Sequence, residues 1–221
     1  VNLNGTSTDV WFDYGTSSGS YGASTSPETI SGTTTTGVSA SVSGLTPWSN
    51  YYYRAVAENG AGTSYGSETA FMPKSQISGG GRHSLSLITD GTVWAWGYNW
   101  AGQLGDGSYM DRNTPVQVID LTDVAAVTGG YDHSITLKSD GTVWAWGNNG
   151  NGELGDGTNT QRTTPVQASS LSSIIAIAGG GWHSLALKSD GTVWAWGFND
   201  GGQLGNGTST NSNIPTQVSG L

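Results

Sequence analysis

Short apolar runs separated by Gly, Asp, Asn and Ser make up most of the chain, and from residue 72 onward they return at a fixed interval. In the middle copy they read Val124-Ala-Ala-Val127, Ser134-Ile-Thr-Leu137, Thr142-Val-Trp-Ala-Trp146 and Thr164-Pro-Val-Gln167. None carries a helical period, and the β-branched and aromatic content of such short runs predicts strands. The connection Lys138-Ser-Asp-Gly141 predicts a tight hairpin turn, with Gly141 free to take a positive φ. A longer Gly-rich turn follows at 148–158. Strand 142–146 carries Val143 and Ala145 on one face and Trp144 and Trp146 on the other. Apolar groups on both faces predict a sheet stacked between two similar sheets.

The string Asp-Gly-Thr-Val-Trp-Ala-Trp-Gly occurs at 90–97, 140–147 and 190–197. The register extends to His83, His133 and His183, to Leu104, Leu154 and Leu204, and to Pro115, Pro165 and Pro215. Three units result, 72–121, 122–171 and 172–221. Four antiparallel strands in a period of about 50 residues, stacked face to face, describe a propeller blade. The expected fold is therefore all-β, with three blades of a β-propeller behind a different front segment.

That front segment, 1–71, has Thr/Ser-rich strand patterns at 9–14, 37–42, 51–57 and 68–71 and no repeat. Its stretch Leu45-Thr-Pro47-Trp-Ser-Asn-Tyr51-Tyr-Tyr53-Arg-Ala55-Val-Ala57-Glu-Asn59 resembles the late strands of a fibronectin type III sandwich. Tyr51 would be the corner tyrosine, bonded to backbone near Leu45. The first strand and most of the second of such a module are missing from 1–71. Both this partial sandwich and a three-blade arc expose apolar faces and open edges. The expectation is that further protein covers both, either more of the same polypeptide or neighbouring copies.

Gly-Gly-X-X-His-Ser, then Asp-Gly-X-Val-Trp-X-Trp-Gly, then Asn-X-X-Gly-X-Leu-Gly-Asp-Gly, then Thr-Pro-Val resemble the regulator of chromosome condensation repeat. The resemblance spans the three units and implies a ring of about seven blades, or about 350 residues at this period. It also implies partner binding through blade loops on one face, as in secreted bacterial propellers of this repeat type. The founding member exchanges nucleotide on a small GTPase and docks on chromatin; the match here lies in structural residues and carries neither over.

Composition narrows the partners. Sixteen acidic against seven basic side chains give a formal charge of −9. Such a chain lacks the positive field that nucleic acid and anionic membranes require, and no apolar window is long enough to cross a bilayer. With no cysteine there is no disulfide, thiol catalysis or thiolate metal site. Only 10% charged residues, with abundant Gly, Ser, Thr and Asn, match an extracellular or cell-surface protein.

Candidate chemistry is sparse. Equivalent histidines on neighbouring blades would lie about 9 Å apart, too far to share one metal ion, so His83, His133 and His183 read as structural groups bonded to loop backbone. Asp106, Asp156 and Asn206 lack the alternating ligands of a calcium loop and read as caps of their own turns. Ser84, Ser134 and Ser184 follow those histidines, but neighbours along a strand point to opposite faces. No metal, cofactor or enzymatic activity is expected. Trp94, Trp96, Trp144, Trp146, Trp194 and Trp196 read as inter-blade core, with Trp94, Trp144 and Trp194 packed between the sheets.

Positions that differ among the copies are free for binding. They cluster before the histidine, at Arg82, Tyr131, Asp132 and Trp182, and after Trp-Gly, at Tyr98, Trp100 and Phe198. Exposed aromatics beside Arg and Asp have the composition of a protein-binding hot spot. The second reading is a carbohydrate-binding module of a secreted enzyme, with Trp100, Trp182 and Tyr98 as stacking rings for a glycan. A third is a filament subunit.

Overall fold

Every regular element is a strand in the computed structural model, which describes residues 7–32, 34–46, 49–72 and 75–221. The chain divides into two compact units, Val1–Lys74 and Ser75–Leu221.

In the first unit the strands are β1 (Thr8–Gly15), β2 (Ala23–Ser24), β3 (Glu28–Ile30), β4 (Tyr51–Asn59), β5 (Gly62–Tyr65) and β6 (Thr69–Phe71). β1 and β4 form the central antiparallel pair, β2 and β3 add to β1, and β5 and β6 add to β4. Arg54 lies between the rings of Tyr21 and Tyr65, 4.5 and 4.0 Å from their centroids, and pairs with Asp13 at 3.2 Å. The Tyr51 hydroxyl accepts the Thr46 N–H at 3.1 Å, the contact expected of the corner tyrosine, while Pro47 and Trp48 lie outside the described residues. All described strands here share one sheet, so two facing sheets are not seen. The expected strand at 37–42 is also absent. Its Ser and Gly residues bring no ladder; Val38 alone packs onto the small core of Val10 and Ile30.

The second unit consists of three four-stranded antiparallel sheets. The first blade holds β7 (Gln76–Gly79), β8 (His83–Leu87), β9 (Val93–Gly97) and β10 (Arg112–Gln117). The second holds β11 (Val124–Gly129), β12 (His133–Lys138), β13 (Val143–Gly147) and β14 (Arg162–Gln167), and the third β15 (Ile174–Gly179), β16 (His183–Lys188), β17 (Val193–Gly197) and β18 (Ser212–Gln217). Strands within a blade pair in chain order. The prolines sit on the fourth strand, an edge where the missing N–H removes no ladder bond. Cores form between blades: Leu85, Leu87, Val93, Ala95 and Leu104 of the first pack on Val124, Val127 and Trp146 of the second.

Each repeated motif has a separate task. Asp140 Oδ1 accepts the Thr142 N–H at 2.9 Å and its hydroxyl at 2.6 Å, and Gly141 takes φ +80° in the turn. Trp144 Nε1 donates to Thr142 Oγ1 at 3.2 Å. Trp144 and Trp194 pack, half-buried, against the inter-blade cores as expected, and Trp94, Trp144 and Trp194 each also clasp their own hairpin through a bond to the Thr two residues earlier. The second tryptophan of the motif fills the joint: Trp146 and Trp196 are fully buried, and their Nε1–H groups reach Gln103 O and Glu153 O of the preceding blade, both at 2.8 Å. Trp96, with no blade before it in the described unit, is half-buried.

Replacing Trp146 with Ala removes this buried ring and its bond, and should lower stability by about 3–5 kcal/mol in urea unfolding. Trp144→Ala should cost clearly less. Equal losses at the two positions would contradict this division of labour.

Candidate functional site

The blade joints place the loops that could meet a partner. His83 Nε2 lies 2.9 Å from Ser134 Oγ on the next blade, and His133 Nε2 lies 3.1 Å from Ser184 Oγ. Each serine hydroxyl donates onward, to Gln103 O at 2.8 Å and to Glu153 O at 2.7 Å. The hydroxyl hydrogen is thereby committed, which assigns the proton of the neutral imidazole to Nε2. The three histidines were expected to bond loop backbone; His83 and His133 instead bond a serine side chain one blade away. A His–Ser pair of this length would suit a base and a nucleophile, but Ser134 and Ser184 are fully buried and their hydroxyls already donate to carbonyls.

Glycines make room for the ring. A methyl on Gly80, Gly130 or Gly180 would overlap the histidine three residues later. One on Gly129 would come within 2.8 Å of Gly80 Cα, where the first strands of adjacent blades meet. Burial pushes the His83 pKa down to about 4, and burial followed by repulsion from the other two histidines pushes His133 to about 3. Nδ1 of both is buried without a hydrogen-bond partner among the described residues.

The loop after Trp-Gly is pinned by a residue that variability alone does not reveal. Asn99, Asn149 and Asn199 are fully buried. Asn149 Oδ1 accepts the Leu154 N–H at 3.0 Å, and its amide donates to Thr158 O at 3.0 Å and Thr160 O at 3.1 Å. Its fixed place in all three copies was the available signal. Asp106 Oδ1 caps Ser108 and Oδ2 pairs with Arg112 at 2.8 Å. Asp156 pairs with Arg162 at the same length. Burial works to raise both carboxyls, but the capping and Arg bonds outweigh it and hold them below the usual range. In the third copy both partners differ: Asn206 and Ser212 stand at these positions.

On this frame, five of the seven sequence candidates meet in one line. The Arg82 guanidinium lies 5.4 Å from the Tyr98 ring and 5.9 Å from the Tyr131 ring. Tyr131 then contacts Trp182 at 5.8 Å, and Trp182 contacts Phe198 edge-on at 5.9 Å. The line crosses all three blades. Tyr131 and Trp182 are 39% and 47% exposed. Trp100 is also exposed, and its indole N–H bonds Asp132.

Asp132 is the correction in this set. It is buried rather than offered to solvent, and accepts Gln103 Nε2 at 3.2 Å across the joint. Burial raises its pKa, partly offset by the Trp100 N–H and the Arg82 charge. At the next joint Glu153 stands where Gln103 does, and burial raises its pKa against hydrogen bonds from Asn151.

A model of the regulator of chromosome condensation (RCC1) repeat matches residues 90–137, 140–187 and 190–221, and a second RCC1 repeat model matches 75–103, 123–153 and 174–203. The chain belongs to the RCC1 repeat family. Each full match of the first model runs from one hairpin turn to the next, joining the outer half of one blade to the inner half of its neighbour. Relatives include the ultraviolet-B receptor UVR8 of Arabidopsis thaliana, 52% identical over 44 residues, covering 20% of this chain and 10% of that protein. The probable E3 ubiquitin-protein ligase HERC3 of Homo sapiens is 45% identical over 47 residues, covering 21% and 4%. The chain thus spans a tenth or less of these relatives. Among solved structures, Prp20p of Saccharomyces cerevisiae, described with its binding to Gsp1p and histones, superposes with a TM-score of 0.58 at 22% identity, over 78% of this chain and 48% of that one. Human WBSCR16 gives a TM-score of 0.58 at 20% identity, over 97% and 68%. These structures establish the RCC1-type β-propeller fold.

Stability of the joints should depend on pH. The folded state holds His83 and His133 below their ordinary pKa of 6.5. It therefore binds fewer protons than the unfolded chain, and stability falls with falling pH. Urea midpoints should be level above about pH 6.5 and decline progressively towards pH 4. His133→Asn should flatten that decline, and an unchanged slope in the variant would refute the assignment.

Proposed function

We propose that this RCC1-repeat protein is a non-catalytic extracellular or cell-surface module that grips a protein partner with the line Tyr98–Arg82–Tyr131–Trp182–Phe198. The observation that carries the reading is the continuity of that line: aromatic and guanidinium groups from five loops on three blades contact one another in series, with Arg82, Tyr131 and Trp182 exposed. Large aromatics with Arg supply most of the energy in protein interfaces. The loops beneath are held rigid by buried Asn clamps, so little conformational entropy is lost on binding.

A protein partner is favoured over a glycan by ring geometry. Tyr131 and Trp182 are tilted at 45°, and Trp182 and Phe198 at 74°. Arg82 lies over Tyr98. Such an uneven surface suits interdigitating side chains better than a flat sugar face. The extracellular setting rests on composition, 10% charged residues and no cysteine.

A photo-crosslinking amino acid at position 182 should capture a protein partner, and one at position 190, in a hairpin turn, should not. Trp182→Ala and Tyr131→Ala should each weaken that partner's binding about tenfold or more while the melting temperature moves little. Capture of glycan alone, or binding indifferent to both substitutions, would overturn the reading.

A further inference from the structure

One stretch of the first blade departs from its two copies in a single chemical direction. The loop after Trp-Gly carries Tyr109 and Met110, where the second blade has Asn159 and Thr160 and the third Ser209 and Thr210. Just past the fourth strand Ile119 stands where the other blades have Ser169 and Ser219. Each exchange puts an apolar side chain where the fold accepts a polar one. All three face solvent, Tyr109 at 56%, Met110 at 66% and Ile119 at 38% exposure.

The loop's own anchoring gathers them. The Asn99 side-chain amide holds Ser108 O at 3.1 Å and Met110 O at 3.0 Å, which fixes the backbone on both sides of Tyr109. Gly107 lies against Ile119, whose Cδ1 would be 3.3 Å from a methyl placed on that glycine. Tyr109, Met110 and Ile119 therefore line one rim of the blade.

This exposure does not come from a missing neighbour. The second blade is flanked by a blade on each side, and there residues 159 and 160 are still exposed and residue 169 is half-buried. Adjoining blades leave the rim open, so propeller assembly does not account for apolar groups on it. Single exposed apolar residues are ordinary; a cluster confined to one of three near-identical units marks an interaction site.

Charge names the occupant. Asp111 follows Met110 and Asp120 follows Ile119, both exposed, whereas the equivalent residues are Gln161 and Ser170 in the second blade and Asn211 and Gly220 in the third. The first blade has thus gained two carboxylates together with its apolar cluster. We propose that this rim docks a protein segment whose apolar side chains, flanked by Lys or Arg, seat on Tyr109, Met110 and Ile119 while the basic residues meet Asp111 and Asp120. The rim shares no residue with the row that runs from Tyr98 to Phe198, so it is a second surface beyond the partner-binding reading.

The test is fluorescence anisotropy of the full chain with a labelled peptide that has a Leu-Phe-Leu centre and two Lys at each end. Two controls replace the centre with Ser or the ends with Glu. The variants take residues that the other blades already carry: Tyr109→Asn with Met110→Thr removes the apolar surface, and Asp111→Asn with Asp120→Ser removes the charge. Asn211 accepts the Asn199 N–H at 2.8 Å as Asp111 accepts the Asn99 N–H at 2.7 Å, and Ser170 has φ +58° where Asp120 has +54°, so the backbone has what it needs in each variant. Unchanged circular dichroism would establish that both fold. Either pair of substitutions should weaken binding of the Lys-ended peptide about tenfold or more, and added salt should weaken it further. Trp182→Ala should leave it unaltered, which separates this surface from the row. No binding of the Lys-ended peptide, equal binding of either control, indifference to either pair of substitutions, or loss of binding in Trp182→Ala would each overturn the proposal.

Discussion

A single backbone carbonyl at each joint, Gln103 O at the first and Glu153 O at the second, accepts both an indole N–H and a serine hydroxyl from the following blade. Nearly everything else in the propeller unit depends on it. The carbonyl lies in a loop, so the loop cannot move without breaking two buried bonds. Unsatisfied donors in a dry interface are expensive, and the loss would fall on the tryptophan and the serine together. The histidine then orients that serine from the leading blade. Three residue types fixed in every copy thus become one device, which holds neighbouring sheets in a single relative position.

The same arrangement explains how variable side chains come to lie in a row. Loops anchored at Gln103, Asn99 and their equivalents leave the blades on one side, and the glycines at 79–81, 129–130 and 179–181 let the first strands approach closely. Side chains from adjacent copies therefore stand within ring-contact distance of each other. Arg82 and Trp182 occupy the same repeat position in the first and third blades and Tyr131 stands one place earlier in the second, and their contacts follow from the blade spacing rather than from any local sequence feature.

The repeating strands were legible because Val93, Ala95, Trp96 and their copies fall on alternating faces and the turns carry Asp-Gly. The row of Arg82, Tyr98, Tyr131, Trp182 and Phe198 was legible because loop positions that differ among copies stand out against fixed ones. Contacts between blades were not. His83 meets Ser134, 51 positions away, yet each copy displays a His-Ser neighbour pair that conceals the true partner. Asp132 looks like a surface carboxylate until the next loop is folded over it. Trp144 and Trp146 are alike in the sequence, and only the direction of each indole N–H separates hairpin clasp from joint. At 37–42 Val38, Ala40 and Val42 alternate with Gly37, Ser39 and Ser41 as a strand would, yet of these only Val38 packs onto the small core of Val10 and Ile30.

The Asp–Arg brace of the first two loops has a counterpart in the third that differs at both ends. The carboxylates of Asp106 and Asp156 are nearly inaccessible, whereas Arg112 and Arg162 keep about a third of their surface in water. Losing the carboxylate first leaves a half-hydrated guanidinium that solvent can support. Losing the guanidinium first strands a shielded negative charge without its counter-ion. Of the two single losses, that of the carboxylate is therefore the less costly, and the third loop, with Asn206 and Ser212, does without the brace altogether.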